Sequence, residues 1–263
     1  MGIEPRAVAR VILPSLLPEA VGNAAIFEDA TIVGVGDTPA ANVSDYVATI
    51  CAPFRDLARS LCDGPERHPD WRADRIDAFM DAWTEDLPAR IEWLPLADGA
   101  RVATEIGALD LVAAPGVCAH ACALHDMQRG WLFTGHAMSL AVEPRVLRPT
   151  DYTESLSRIS RFTPALILPG TGGVERSYFH FFRSTNLATT NLISNLPFAL
   201  HGATPVAMVA YRDLGYWPRD LIRFTATVWR FKVMLDELVR SGVAAVDGEG
   251  AWAAYTMDRP PRG

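Results

Sequence analysis

Lysine is almost missing from this chain of 263 residues: Lys232 stands alone against 23 arginines. With formal net charge −7 and no basic cluster, the sequence lacks the concentrated positive charge that phosphate backbones require, which argues against DNA or RNA as a partner. Long apolar runs are absent too. None approaches the ~20 residues that span a bilayer, and "VILPSLLPEAV" near the start is cut by Pro14 and Pro18. "MGIEPR" has Arg6 where a myristoylation signal needs Ser or Thr. The four cysteines (Cys51, Cys62, Cys118, Cys122) are sparse for this length, so reduced thiols in a cytoplasmic, bacterial-type compartment are expected. Several motifs are missing as well: the P-loop, the dinucleotide G-x-G-x-x-G, the G-x-S-x-G elbow and the E-x2-H pairs of carboxylate-bridged iron sites.

What is present reads as helix more often than strand. Val47, Ile50, Cys51, Phe54, Leu57, Ala58 and Leu61 recur at three- and four-residue spacing, and Ile76, Phe79, Met80, Trp83 and Leu87 do the same before Pro88. The last strong helix follows Pro218 and runs toward Ser241-Gly242. "AVARVIL", "AAIFEDATIVGVG" and "PVAMVAY" have the β-branched content of short strands. The fold class expected is mainly α with a few short strands (α+β). A single helical-core domain would span 1–263, with 243–263 a loose C-terminal tail. Partners are expected to be a small-molecule substrate, with no nucleic acid and no membrane; an oligomer is compatible with this composition.

Two stretches concentrate chemistry. "PGVCAHACALHDMQRGWLFTGH", 115–136, places Cys118, His120, Cys122, His125 and His136 within 22 residues. Read as a helix from Pro115 to about Trp131, it puts Cys118, Cys122 and His125 on one face and His120 elsewhere. Structural zinc, buried thiols packing as small apolar groups, and a nucleophilic thiol with a histidine base all remain open. "ALILPGTGGVERSYFHFFRSTN", 165–186, contains the loop Gly170, Thr171, Gly172 and Gly173. Such a loop ahead of a helix can hold an anion on its backbone N–H groups, or it can simply be a tight turn.

The "GTGG" loop with the following aromatic run and "RST", together with "HDMQRGWLFTGH", resembles the heme-dependent tryptophan and indoleamine 2,3-dioxygenases. That resemblance implies a helical oxygenase acting on an aromatic or amino-acid-like substrate. It implies heme as cofactor, His136 on the distal side, and Gly170–Gly173 with Arg183 binding a carboxylate or propionate. The family's iron-ligating histidine precedes the glycine loop, where "YTESLSRISRFTP" contains none, so His201 or His180 would hold the iron. His136 and His125 are the acid–base candidates. The alternative is a thiol- or metal-dependent enzyme centred on Cys118, His120, Cys122 and His125, or a non-catalytic small-ligand-binding protein.

Overall fold

The computed structural model describes residues 4–22, 24–36, 43–85, 87, 93–105, 107–138, 148–170 and 172–258; side chains at 18–19, 25, 43–50 and 187–193 lie outside that description. The described chain gathers into two compact units, 1–47 with 86–188 and 48–85 with 189–263.

The first unit is built on sheets. β1 (Arg10–Ile12), β2 (Thr31–Val35) and β3 (Trp93–Leu96) form a parallel sheet in that order. β4 (Arg101–Thr104), β5 (Gly107–Ala113), β6 (Cys122–Asp126), β7 (Trp131–Gly135) and β8 (Leu166–Pro169) form a second sheet in sequence order, antiparallel until β8 joins β7 in parallel. Val35, Ile12 and Leu96 from the first sheet meet Leu109, Leu111, Cys122, Leu124 and Phe133 from the second, so the core lies between two sheet faces.

Helices cover the outside. Short α1 (Pro18–Val21) follows the buried Leu16 and Leu17. α4 (Pro149–Ile159) buries Tyr152, Leu156 and Ile159, and its Ser155 hydroxyl donates to the Pro115 carbonyl at 2.7 Å. Gly116 accepts this helix at close range: a Cβ there would lie 2.6 Å from the Tyr152 Cα. The opening turns of α5 (Tyr178–Ala199) bury Phe181, while the Tyr178 hydroxyl donates to the Ser160 carbonyl at 2.6 Å.

The second unit is mainly helical. α2 (Val43–Cys62), from Ala48 onward, is tied to α3 (Ala73–Thr84) by Arg55 and Arg59 paired with Asp77 and Asp81. α6 (Val206–Leu214) and α7 (Leu221–Arg240) are joined by Arg230–Asp213. Asp220 caps α7 by accepting the N–H groups of Ile222 and Arg223. β9 (Thr204–Pro205), β10 (Ala244–Asp247) and β11 (Ala254–Met257) make a small antiparallel sheet in the order β10-β11-β9. Two of its strands therefore lie in the segment from 243 onward that was expected to be loose. Trp71 stacks on Phe224 at 5.1 Å and donates its indole N–H to the Pro218 carbonyl. No described helix is long and apolar enough to cross a membrane.

This architecture overturns the expectation of a mainly helical, single-core fold. The misreading concentrates at 115–136, expected to be helix and found as β6 and β7. β6 is the middle strand of five and is buried on both faces, so it loses the apolar–polar alternation that marks a half-buried strand. Its small residues, Cys122 and Ala123, also satisfy a helical spacing. The turn is written in Asp126 and Gly130. The Asp126 carboxylate accepts the N–H groups of Gln128 and Arg129, and Gly130 sits at φ +65°. The Arg129 guanidinium, 2.8 Å away, and those backbone donors hold the Asp126 carboxyl below the usual carboxylate range.

Candidate functional site

Several strand ends of the first unit converge along one edge of the sandwich. After β1 the chain continues through Pro14 and Ser15, after β2 through Gly36, after β7 through His136, and after β8 through Gly170. The connection from β5 to β6 is pinned by Ala114 N–H to Ala121 O. Backbone bonds sew these ends together: Cys122 N–H to Pro14 O at 2.8 Å, Gly36 N–H to Leu96 O at 3.2 Å, and Gly170 N–H to Gly135 O at 2.8 Å. Glycine is needed where the ends touch. Gly135 has φ +50°, and a Cβ there would sit 2.6 Å from Pro14. A Cβ on Gly170 would sit 2.9 Å from the Gly135 carbonyl.

Two histidines stand on this edge. The buried Ser15 hydroxyl lies 3.1 Å from His136 Nδ1, and the Leu17 N–H reaches the same oxygen at 3.5 Å. His120 Nδ1 lies 3.0 Å from the Val35 carbonyl. A carbonyl only accepts, so Nδ1 carries the proton and the lone pair of a neutral His120 is on Nε2. Trp93 packs edge-on against this ring at 5.4 Å and donates its indole N–H to Gly36 O.

Cys118 and Cys122 are buried and unpaired. Burial pushes the Cys118 thiol up despite backbone N–H groups of Leu16 and His120 directed at its sulfur. Burial, reinforced by nearby Cys118, pushes Cys122 up to about 12. Both are therefore neutral thiols at physiological pH, and the Cys122 S–H points to the Leu13 carbonyl at 3.7 Å.

The remaining histidine of the stretch is elsewhere. Alternation along β6 turns Cys122 and Leu124 toward the opposing sheet and His125 to the other face, where Phe162 lies 4.5 Å from its ring. Its Nδ1 is buried with no hydrogen-bond partner, and burial lowers its pKa. Of the quartet, Cys122 and His125 thus lie on opposite faces of β6, while Cys118 and His120 belong to the connection between β5 and β6.

The second stretch is also rearranged. Ile167 and Glu175 exchange backbone hydrogen bonds, so the glycine loop turns back along β8. α5 begins only at Tyr178, which leaves exposed Gly172 and Gly173 away from a helix N-terminus. Thr171 lies outside the described residues. His180 and Arg183 are exposed on α5, and His201 is exposed in the second unit. The pattern in the sequence missed Ser15, whose signal is one small hydroxyl residue set between Pro14 and Leu16. It missed Trp93 as well. Among the described residues no three His, Cys, Asp or Glu side chains come together in a group able to hold a metal ion.

No family model matches the sequence, and no curated relative matches it. Solved structures do. A metallo-β-lactamase family protein from Thermus thermophilus superposes with TM-score 0.72 at 17% identity, covering 96% of this chain and 81% of that one. A β-lactamase domain protein from Burkholderia ambifaria superposes with TM-score 0.76, also at 17% identity, covering 95% and 75%. The likeness to helical heme dioxygenases is therefore set aside. With it go heme as cofactor, the oxidoreductase reading, and the grounds for His201 or His180 as iron ligands. At these identities the likeness concerns architecture: the chain has the metallo-β-lactamase fold.

Proposed function

We propose that the chain is an enzyme acting on a small molecule at the strand-end edge of its first unit, with His136 as the proton-exchanging group. The observation that carries this reading is the hydrogen bond between the buried Ser15 hydroxyl and His136 Nδ1. A buried partner fixes the ring's orientation on the strand-end edge, as a proton-exchanging imidazole requires. His120, with its proton held at Nδ1 by Val35 O, supplies a second imidazole on the same edge. Ser15 is a positioning residue here, because it acts through the ring.

Of the readings open in the sequence, the metal- or thiol-dependent enzyme stands closer to this fold than the heme oxygenase. The fold's name implies a metal, yet the donor set among the described residues does not fit one. Cys118 and Cys122 are neutral and buried, which also argues against a thiolate nucleophile. The testing experiment compares the full chain with His136→Gln on a panel of hydrolysable small molecules, including β-lactams, esters and thioesters. The fold is checked by circular dichroism and melting temperature. Loss of the acid–base group is expected to lower kcat about 10²- to 10⁴-fold. Undiminished turnover in the variant would overturn the reading. Saturable binding with no turnover in either protein would favour the non-catalytic ligand-binding alternative.

A further inference from the structure

We infer that this copy of the fold holds no resident metal centre at its strand-end edge, so that whatever happens there is carried by imidazole, hydroxyl and backbone groups. The inference rests on an inventory of donors. All six histidines and all four cysteines of the chain lie among the described residues, so its nitrogen and sulfur donors are fully accounted for. His68 and His201 belong to the second unit, and His68 keeps company with Asp70. His125 faces the side of the five-stranded sheet opposite to Cys122, against Phe162. His180 stands exposed on α5. The edge itself has His120 and His136, whose Nδ1 atoms are engaged by Val35 O and Ser15 Oγ.

A catalytic zinc ion takes three protein ligands, and paired ions take more. No third His, Cys, Asp or Glu among the described residues completes such a group. The two thiols near the edge cannot fill the gap cheaply. Cys118 is 3% exposed and Cys122 is inaccessible, and a metal needs thiolates that burial disfavours. The carboxylate side chains of Glu19, Asp37, Asp45, Asp86, Glu92 and Glu143 lie outside the described part of the structure. Where other proteins of this fold are named for a metal, this chain presents hydrogen-bonded imidazoles and close-packed glycines.

The test uses the full chain, purified without a histidine tag, and needs no substrate. Metal content is measured by elemental analysis after gel filtration. Melting is followed with EDTA and with added zinc, manganese or ferrous iron. A metal present at a hundredfold its Kd would raise the melting temperature by roughly 5–10 °C. The expected result is well under one equivalent of any transition metal and no shift on chelation or addition. One or two equivalents of a retained metal, with a melting temperature that falls on chelation, would overturn the inference if both effects disappear in the His120→Ala, His136→Ala double variant. A retained metal indifferent to that double variant sits elsewhere and leaves the inference standing. Because the readout is metal content and melting, its failure is distinct from a failure of His136 in turnover.

Discussion

His125 gives the sharpest energetic test of this fold. The residue is 9% exposed in the central strand, and Nδ1 is buried with no partner. An unsatisfied buried polar atom costs about 1–3 kcal/mol. His125→Leu removes that atom while keeping an apolar body against Phe162, so the variant is expected to match or exceed the wild type by up to about 2 kcal/mol at pH 7.5. Most core substitutions do the opposite. The pH dependence supplies a second readout from the same pair of proteins. Burial lowers the folded-state pKa of His125 below its ordinary 6.5, while cross-strand Asp110 and neighbouring Asp126 oppose that shift. As pH falls below 6.5, the unfolded chain binds a proton that the folded chain resists, so stability is full above 6.5 and declines on acidification toward the folded pKa. The slope from this group reaches at most about 1.4 kcal/mol per pH unit. Native-state hydrogen exchange of β5–β7 amides at pH 7.5, 6.5 and 5.5 reads the strands that hold His125. The difference between the two proteins cancels the other carboxylates and should widen in favour of His125→Leu as pH falls. A variant destabilised by more than about 2 kcal/mol at pH 7.5, or sharing the wild-type slope, would refute the assignment of a neutral, unpartnered imidazole.

The buried thiols and the glycine contacts have measurable consequences. Cys122 has its pKa raised from 9.0 to about 12, so the folded chain keeps a proton that the unfolded chain releases; its contribution to stability is intact below pH 9 and is lost between pH 9 and 12. Denaturation midpoints of the wild type should therefore fall faster over that range than those of Cys122→Ala, and native Cys118 and Cys122 should resist thiol reagents until unfolding. Gly170→Ala places a Cβ 2.9 Å from the Gly135 carbonyl and is expected to cost about 1–3 kcal/mol. Gly173→Ala meets nothing within 4 Å and should change stability by less than about 0.5 kcal/mol, as urea unfolding of the two variants will read.

Part of the helical content was legible in the chain. The periodicity of 47–61 falls in α2 and that of 76–83 in α3, which ends at Thr84 before the expected Leu87; apolar stripes at 3.6-residue spacing need no partner to be recognised. Pro218 and Ser241-Gly242 bracket α7 in the same way. The absence of a long apolar run and of a basic cluster needed no structure either. What tertiary structure decided was the state of 115–136 and the meaning of its histidines. A strand enclosed on both faces has no alternation to display, so the neighbours β5 and β7, not β6 itself, settle that Cys122 and His125 face opposite ways. Ser15 and His136 are 121 residues apart, and Gly36 and His120 meet only because strands from two sheets end at one edge. Such long-range juxtapositions leave no periodic trace in a sequence, because they depend on the order in which strands pair.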